Sequence, residues 1–293
     1  MGSTRHSRLE PGTLWNAAVD GSARALKAGA LQRMAAKSER VDEGGISFVV
    51  RVLAQIHRNH AQMAAQRRDG TNPFLPYDED LFVAEVSPTH VCLLNKFNVI
   101  HPHLLLVTRA AEPQDSELTD ADFAALATCM AEFDACGFYN GGAAAGASQS
   151  HKHLQLVPVP LGAGPERTPM DSRLLGAAAP RLPFRHAFVR LDGLEGLEGL
   201  EGLNGLAGPG NLIAAYRGLA RSVDLDTAPR PYNLVVTRDW MLLVPRTRES
   251  FQGVSINALG FAGSLLVHSH EQLARVRELG PLRFLSEVSE PRS

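Results

Sequence analysis

Residues 146–158 read GASQSHKHLQLVP, with His151, His153 and Gln155 at every second position. Alternate side chains of a strand share a face. These three therefore point one way, while Leu154 and Leu156 point the other, toward a core. Lys152 lies on the leucine side at the strand's start, where its ammonium is expected to reach solvent. A free imidazole, with a pKa of about 6.5, is mostly unprotonated at neutral pH. One ring nitrogen can then attack an electrophile while the other donates to an acceptor that sets the tautomer. Attack on phosphorus gives a phosphoramidate, which passes its group onward and divides one transfer into two. Neutral donors aimed at the phosphoryl oxygens would stabilise the charge that builds there. Gln155 supplies an amide N–H, and Gly146, Ala147, Ser148 and Gln149 supply backbone N–H groups and a hydroxyl. Gly141, Gly142 and Gly146 allow the backbone to come close to a phosphate.

The same residues admit two plainer readings. A His-x-His pair on a strand is a frequent metal site, but no cysteine or third histidine stands at ligand spacing here. Polar surface is the other, since His57/His60, His101/His103 and His268/His270 also fall in pairs. The adjoining glycine run and Gln155 shift the balance toward a nucleophile, and no dedicated protein metal site is expected.

The elements that would position this run can be read around it. Thr13 to Ala36 has helical spacing of apolar residues, weakened by Gly21 and Gly29. Ile46–Leu53 is β-branched and reads as a strand. Pro73 and Pro76 keep residues 67–80 irregular. Leu81–Val86 and His90–Asn95 form a hairpin across Ser87-Pro88-Thr89, followed by a strand at His103–Thr108; strands this close in sequence pair antiparallel. Leu118–Phe133 is a helix whose inner face carries Phe123, Leu126, Ala127, Met130 and Phe133, opened by a Thr119/Asp122 capping box. YNGGAAAGASQS is too glycine-rich for a stable element. A strand at residues 151–159 follows, then a Pro/Gly/Arg-rich connection to Arg181 and a strand at Phe184–Leu191. The Gly-Leu-Glu repeat at about 192–210 reads as a surface insertion. Ala214–Arg221 is a short helix, Tyr232–Arg246 a hairpin turning at Thr237-Arg238-Asp239, and His270–Leu279 a closing helix. Clustered strands with separate helices indicate an α+β fold with an antiparallel sheet.

A net charge of −2 and a pI near 6.6 leave no global basic field for nucleic acid, so any phosphate site is local. No apolar run has membrane-spanning length. Cys92, Cys129 and Cys136 fit neither a zinc nor a redox spacing and read as buried free thiols. The first residues lack the apolar stretch of a secretion signal, so a cytoplasmic location is expected.

YNGGAAAGASQSHKHLQ resembles the active-site segment of the diadenosine tetraphosphate (Ap4A) phosphorylases, or ATP adenylyltransferases, of the histidine-triad (HIT) and galactose-1-phosphate uridylyltransferase superfamily. NPFLPYDEDLFV, LNKFNVIHPHLLLVTR, YNLVVTRDWMLLVPR and SINALGFAGSLLV resemble further segments in the same order, from about Phe48 to Leu279. The resemblance implies a HIT-like antiparallel sheet with flanking helices, extended by a C-terminal segment adding strands and a helix. The corresponding regions are 1–160 and 161–293.

The resemblance also implies a reaction: Ap4A and phosphate give ATP and ADP, reversibly, through an AMP–histidine intermediate. His153 is the implied nucleophile, with His151 and Gln155 as catalytic partners. Asn95, Lys96, Asn140, Gly146, Ala147, Ser148, Gln149, Gln155 and Asn257 are the implied substrate contacts. Lys96 is otherwise a solvated charge, Asn140 a turn residue and Asn257 a helix cap. His268 stands where a lysine contact would be expected, and Arg51 either tracks phosphate or is an edge-strand charge. A divalent cation, magnesium by preference, is expected to arrive with the nucleotide, and no organic cofactor is expected. Gln155 stands where histidine-triad hydrolases have a third histidine, which favours phosphate over water as acceptor. A dinucleotide polyphosphate hydrolase and a non-enzymatic nucleotide-binding module remain the alternatives. Preferred dinucleotide, base and oligomeric state are left open.

Overall fold

The structure, a computed structural model, describes residues 8–53, 72–176, 181–191 and 209–292. The Gly-Leu-Glu repeat up to residue 208 and the His57/His60 pair lie outside these residues.

Eight antiparallel strands make the main sheet. In chain order they are β4 (Phe82–Glu85), β5 (His90–Leu94), β7 (Leu104–Thr108), β8 (Ala135–Gly141), β9 (His153–Pro158), β10 (Ala187–Arg190), β11 (Tyr232–Val236) and β12 (Trp240–Pro245). Their order across the sheet is β10-β12-β11-β8-β9-β7-β5-β4. Strands from both halves of the chain thus share one sheet, joined where β11 pairs with β8, Asn233 opposite Asn140. The strand expected at 151–159 is regular only from His153; His151 makes an isolated bridge to Pro113.

Smaller pieces surround this sheet. β2 (Ala36–Glu43), β3 (Ile46–Leu53) and β15 (Ser264–Val267) form a second sheet, in which β15 runs parallel to β3. β1 (Gln32–Arg33) pairs with β6 (Phe97–Asn98), and β13 (Ser250–Phe251) with β14 (Val254–Ser255).

The helices among the described residues are α1 (Leu14–Ala28), α2 (Asp120–Glu132), α3 (Asp171–Leu174), α4 (Pro209–Ser222), α5 (Ala258–Phe261), α6 (His270–Leu279) and α7 (Pro281–Val288). α1 is shorter than its apolar spacing suggested. Gly29 adopts φ 78°, its N–H reaches back to Ala25 and Leu26, and the chain leaves as strand. α1 lacks a side-chain cap of its own; the Glu132 carboxylate at the end of α2 accepts from Gly12 and Leu14 N–H at 3.0 Å each. The YNG of the glycine-rich run is the end of strand β8, contrary to expectation. Gly141 packs so closely on the Tyr232 ring that a Cβ there would lie 2.9 Å from it.

The two faces of the main sheet are covered differently. One face packs Leu104, Leu106, Leu154, Leu156, Tyr139 and Leu234 against α1, α2 and α4 in a continuous core. Each large side chain removed from water there contributes about 1.5–3 kcal/mol. The other face is covered at its two ends. Phe138, Val157, Val235 and Leu242 pack under the second sheet and α5 to α7. Val91, Leu93, Leu105 and Val107 pack under Phe74. His153 and Gln155 project between these two clusters, on the same side as Val107, Leu105 and Phe138, their partners in register.

Lys152 does not reach solvent. Its side chain is 1% exposed, with Nζ 2.9 Å from Glu112 Oε2, 2.9 Å from the Glu117 carbonyl and 3.3 Å from Asp122 Oδ2. The helices on the leucine face cover the place where an opening was expected. Asp122 also completes the α2 capping box with Thr119 and meets His90 Nε2 at 2.9 Å. Burial would push the Asp122 carboxyl up, but hydrogen bonds from His90 and Thr119 and the Lys152 charge hold it below its ordinary value.

Removing this carboxylate strands a buried cation and a cap together. Asp122→Ala is expected to cost about 3–5 kcal/mol in denaturant unfolding. Because the folded-state pKa is depressed, the contribution is complete above the unfolded carboxylate value of about 3.9. It is lost as pH falls through the folded value, so the gap between wild type and variant should close in acid.

Candidate active site

His153 opens β9 on the uncovered stretch of the sheet, and three contacts hold it. Its backbone N–H donates to Gln114 Oε1 at 2.8 Å, and its carbonyl accepts from Gln114 Nε2 at 3.2 Å. Ring nitrogen Nδ1 lies 2.8 Å from the His151 carbonyl, which can only accept, so Nδ1 carries the proton. Nε2 keeps its lone pair and meets no donor among the described residues. Burial, outweighing the hydrogen bond to His151, pulls the imidazole down to about 4. At neutral pH His153 is therefore a neutral ring with a free Nε2.

His151 has a different place from the one its spacing suggested. It lines neither cavity of the site, and its ring is fixed among protein groups. Nε2 donates to the Thr108 carbonyl at 2.7 Å, and Nδ1 accepts from Asn72 Nδ2 at 2.8 Å. Asn72 is held in turn by Phe74 N–H at 2.9 Å, and the Phe74 ring lies against both histidines. His151 acts through its carbonyl, on the tautomer of His153.

Two cavities meet at Gln155. The first, of about 390 Å³, is lined by Phe74, Tyr77, Asn95, Lys96, Ser148, Gln149, His153 and Gln155 among others. The second, of about 230 Å³, includes Arg51, Asn95, Asn140, Gly146, Ser148, Gln155, Asn257 and His268. Among the described residues, Asp78 is the one carboxylate in either lining, and it is in the first. Apart from it, the polar groups are neutral or cationic, which suits a polyanion. Arg51 is partly buried and desolvated, which lowers its pKa. It donates to the Leu161 carbonyl at 2.5 Å and to Ser264 Oγ, and makes no ion pair among the described residues.

The glycine loop is built differently from its sequence reading. Residues Ala143–Ala145 form a 3₁₀ turn, and the N–H groups of Gly146 and Ala147 close it on Ala143 and Gly142. Those two N–H groups are therefore turned inward, and Ala147 lines neither cavity. Gly146 is required by its surroundings: φ is 87°, and a Cβ would sit 2.8 Å from the Ile256 carbonyl. Ser148 and Gln149 carry the loop into the cavities.

Amide orientation is fixed at three positions. Asn140 Oδ1 accepts from Asn233 Nδ2 and from Ala258 N–H, both at 2.9 Å, so its own Nδ2 is left for the second cavity. Asn257 caps α5 through Leu259 N–H at 3.1 Å while lining the same cavity, so the cap and ligand readings coexist. Gln155 Oε1 lies 2.9 Å from His103 Nε2, which leaves its NH₂ free.

Several of these residues were invisible in the sequence. Arg246 is buried and donates to the carbonyls of Val288, Ala145, Arg248 and Glu249 and to Asn233 Oδ1. Burial brings it down to about 9, against the pull of Glu249, so it remains charged at neutral pH. It ties the C-terminal helix and the 248–249 turn to the glycine loop. Asn72, Thr108 and Asn233 lie inside the resembling segments without standing out there, and Gln114 lies outside them. His103 lies two residues before Leu105, the β7 partner of Gln155, and so on the same face, a register that folding sets.

The comparisons with known proteins agree with this architecture. Residues 4–175 match the family described as Ap4A phosphorylase N-terminal domain, and residues 180–291 the ATP adenylyltransferase C-terminal domain. Two Saccharomyces cerevisiae proteins are similar to the chain. Diadenosine 5',5'''-P1,P4-tetraphosphate phosphorylase 2 is 27% identical over 71% of this chain and 72% of its own. Protein APA1 is 27% identical over 73% of this chain and 74% of its own. The crystal structure of yeast Ap4A phosphorylase Apa2 in complex with AMP shares the fold, with a TM-score of 0.78 at 23% identity over 96% of this chain and 98% of that one. The crystal structure of Apa2 in complex with Ap4A gives a TM-score of 0.79 at 22% identity, covering 97% and 99% of the two chains.

The state of His153 is open to direct measurement. Nitrogen-15 NMR of labelled imidazoles should show His153 as the Nδ1–H tautomer, titrating near 4 rather than near the ordinary value of about 6.5. Because only a neutral imidazole can attack an electrophile, any nucleophilic reactivity of His153 should persist in mild acid and fall only through that lower value.

Proposed function

The chain belongs to the Ap4A phosphorylase family, and from that premise we propose that it converts Ap4A and inorganic phosphate into ATP and ADP with AMP carried on His153. The observation that carries this reading is the free Nε2 of a neutral His153, opposite a pinned Nδ1–H, in a lining shared with Gln155. Nε2 attacks an α-phosphorus of Ap4A; the N–P bond forms as the bond to the bridging oxygen breaks, and ATP leaves as the anion. The ring becomes cationic in the adduct, and Nδ1–H donates more strongly to the His151 carbonyl. A phosphate oxygen then attacks the same phosphorus, the N–P bond breaks with its electrons returning to Nε2, and ADP is released. The second step is the reverse of the first with phosphate in place of ATP, which makes the cycle reversible.

Gln155 favours transfer over hydrolysis. An amide can donate to the phosphoryl oxygens, but it can neither protonate a leaving group nor activate water. ATP and phosphate leave and enter as anions and need neither service. Asn95, Lys96, Ser148 and Gln149 line the cavity on the His153 side, and Arg51, Asn140, Asn257 and His268 line the other. The nucleotide and its phosphate chain would extend across both, with the cationic groups offsetting their charge.

A divalent cation, magnesium by its preference for oxygen, would come with the nucleotide and neutralise phosphate charge. A single carboxylate, Asp78, among the described residues of the two linings fits a metal held mostly by phosphate oxygens. The chemistry calls for no organic cofactor. No described helix is long and apolar enough to cross a membrane. The three cysteines are free and buried, which supports a reducing compartment such as the cytoplasm.

Product analysis with and without phosphate tests the reaction. ATP and ADP should accumulate only when phosphate is present; equal turnover to ATP and AMP in its absence would make the chain a hydrolase, and tight binding with no turnover a binding module. Gln155→Ala should lower kcat about 10²–10³-fold, with kcat/KM falling alongside. An unchanged kcat would remove the amide from the transition state.

A further inference from the structure

Gln155 helps a phosphoryl group only if it presents its NH₂. Rotated by half a turn, the same amide would present Oε1 and repel the oxygens it should bind. What settles the choice lies behind it. His103 Nε2 is 2.9 Å from Gln155 Oε1, and Asn95 Nδ2 is 3.2 Å from His103 Nδ1. Each of these three groups is ambivalent alone, since an amide can be turned and an imidazole can hold its proton on either nitrogen. The next partner is not ambivalent. The backbone N–H of Phe97, 3.3 Å from Asn95 Oδ1, can only donate.

The directions follow in order. Phe97 N–H fixes the Asn95 oxygen toward itself, so Asn95 NH₂ faces His103. His103 Nδ1 must then accept, and its proton sits on Nε2. Gln155 Oε1 must accept that proton, and its NH₂ faces the cavities. We propose that His103, oriented by Asn95, is the positioning residue that holds the Gln155 amide with its N–H face toward the transferring phosphoryl group. The inference rests on the adenylyl-transfer reading of the site.

Two further observations support it. Burial, only partly offset by the hydrogen bond to Gln155, brings His103 down to about 4, so Nδ1 keeps the lone pair that must accept. The ring is also held in place: it packs on Phe138 at 5.8 Å between centroids, and Asn95 N–H donates to the His103 carbonyl at 2.8 Å across the β5–β7 connection. Asn95, which lines both cavities, thereby has a task besides the substrate contact its motif implied. Both polar ends of its side chain are engaged with the protein, and it acts through His103.

Steady-state phosphorolysis of Ap4A by wild type, His103→Leu, Gln155→Ala and the double variant tests the inference, with melting temperatures measured for each. His103→Leu should lower kcat about 10- to 100-fold while KM for Ap4A changes little. Once Gln155 is already Ala there is no amide to orient, and the same change should cost less than about threefold. His103→Gln, whose amide nitrogen extends toward the place of Nε2, should recover most of the lost rate. Losses that multiply in the double variant, or a folded His103→Leu with wild-type kcat, would overturn the inference. If His103→Leu does not fold, His103→Asn, too short to reach Gln155, takes its place in the cycle. A wild-type enzyme inactive on Ap4A with phosphate would instead overturn the function on which the inference stands.

Discussion

An imidazole attacks through one nitrogen only while its proton is held on the other, and the bond from His153 Nδ1 to the His151 carbonyl is what holds it here. Much of the surrounding structure keeps that carbonyl in place. The His151 ring is anchored by Thr108 and Asn72, the His153 backbone by Gln114, and Lys152 between them by two carboxylates under the sheet. A buried ion pair is weak evidence for stability. This one lies directly beneath the two histidines, where a shift of the strand would move the His153 ring. Asp122 joins it to the first turn of α2, so a helix terminus and the reactive strand share one carboxylate.

The same logic recurs among the neutral donors. Oxygens of Asn140 and Gln155 are turned onto protein donors, which leaves their N–H groups for a ligand. Charge stabilisation of this kind needs no reorganisation during the reaction, because the dipoles are already oriented. The supports come from distant parts of the chain. Asn233 and Ala258 hold Asn140, and Arg246 holds Asn233 and the glycine loop while itself buried among carbonyls. The C-terminal segment therefore shapes the glycine loop as well as lining the second cavity.

The sequence showed what repeats and what is local. Alternation placed His153 and Gln155 on one face and Leu154 and Leu156 on the other, and the structure agrees. The capping box of α2, the β4–β5 and β11–β12 hairpins and the antiparallel sheet were legible for the same reason. Long-range pairings were not. β15 lies parallel to β3 across more than 200 residues of sequence, and nothing in either strand names its partner. Lys152 was misread because strand position says nothing about which helices cover a face. The inward turn of the Gly146 and Ala147 N–H groups depends on a 3₁₀ turn that alanine and glycine composition does not specify. His103 was passed over as one of several histidine pairs, since its importance lies in a register set by folding.

The proposed cycle requires a single imidazole to carry the nucleotide between two displacements. Wild-type protein incubated with Ap4A in the absence of phosphate, quenched at alkaline pH and digested, can be read by mass spectrometry for the site of AMP attachment. One adduct is expected, on the peptide containing His153, and it should disappear when phosphate is added as ADP is formed. An adduct on another residue, or none while ATP and ADP are being produced, would contradict the cycle.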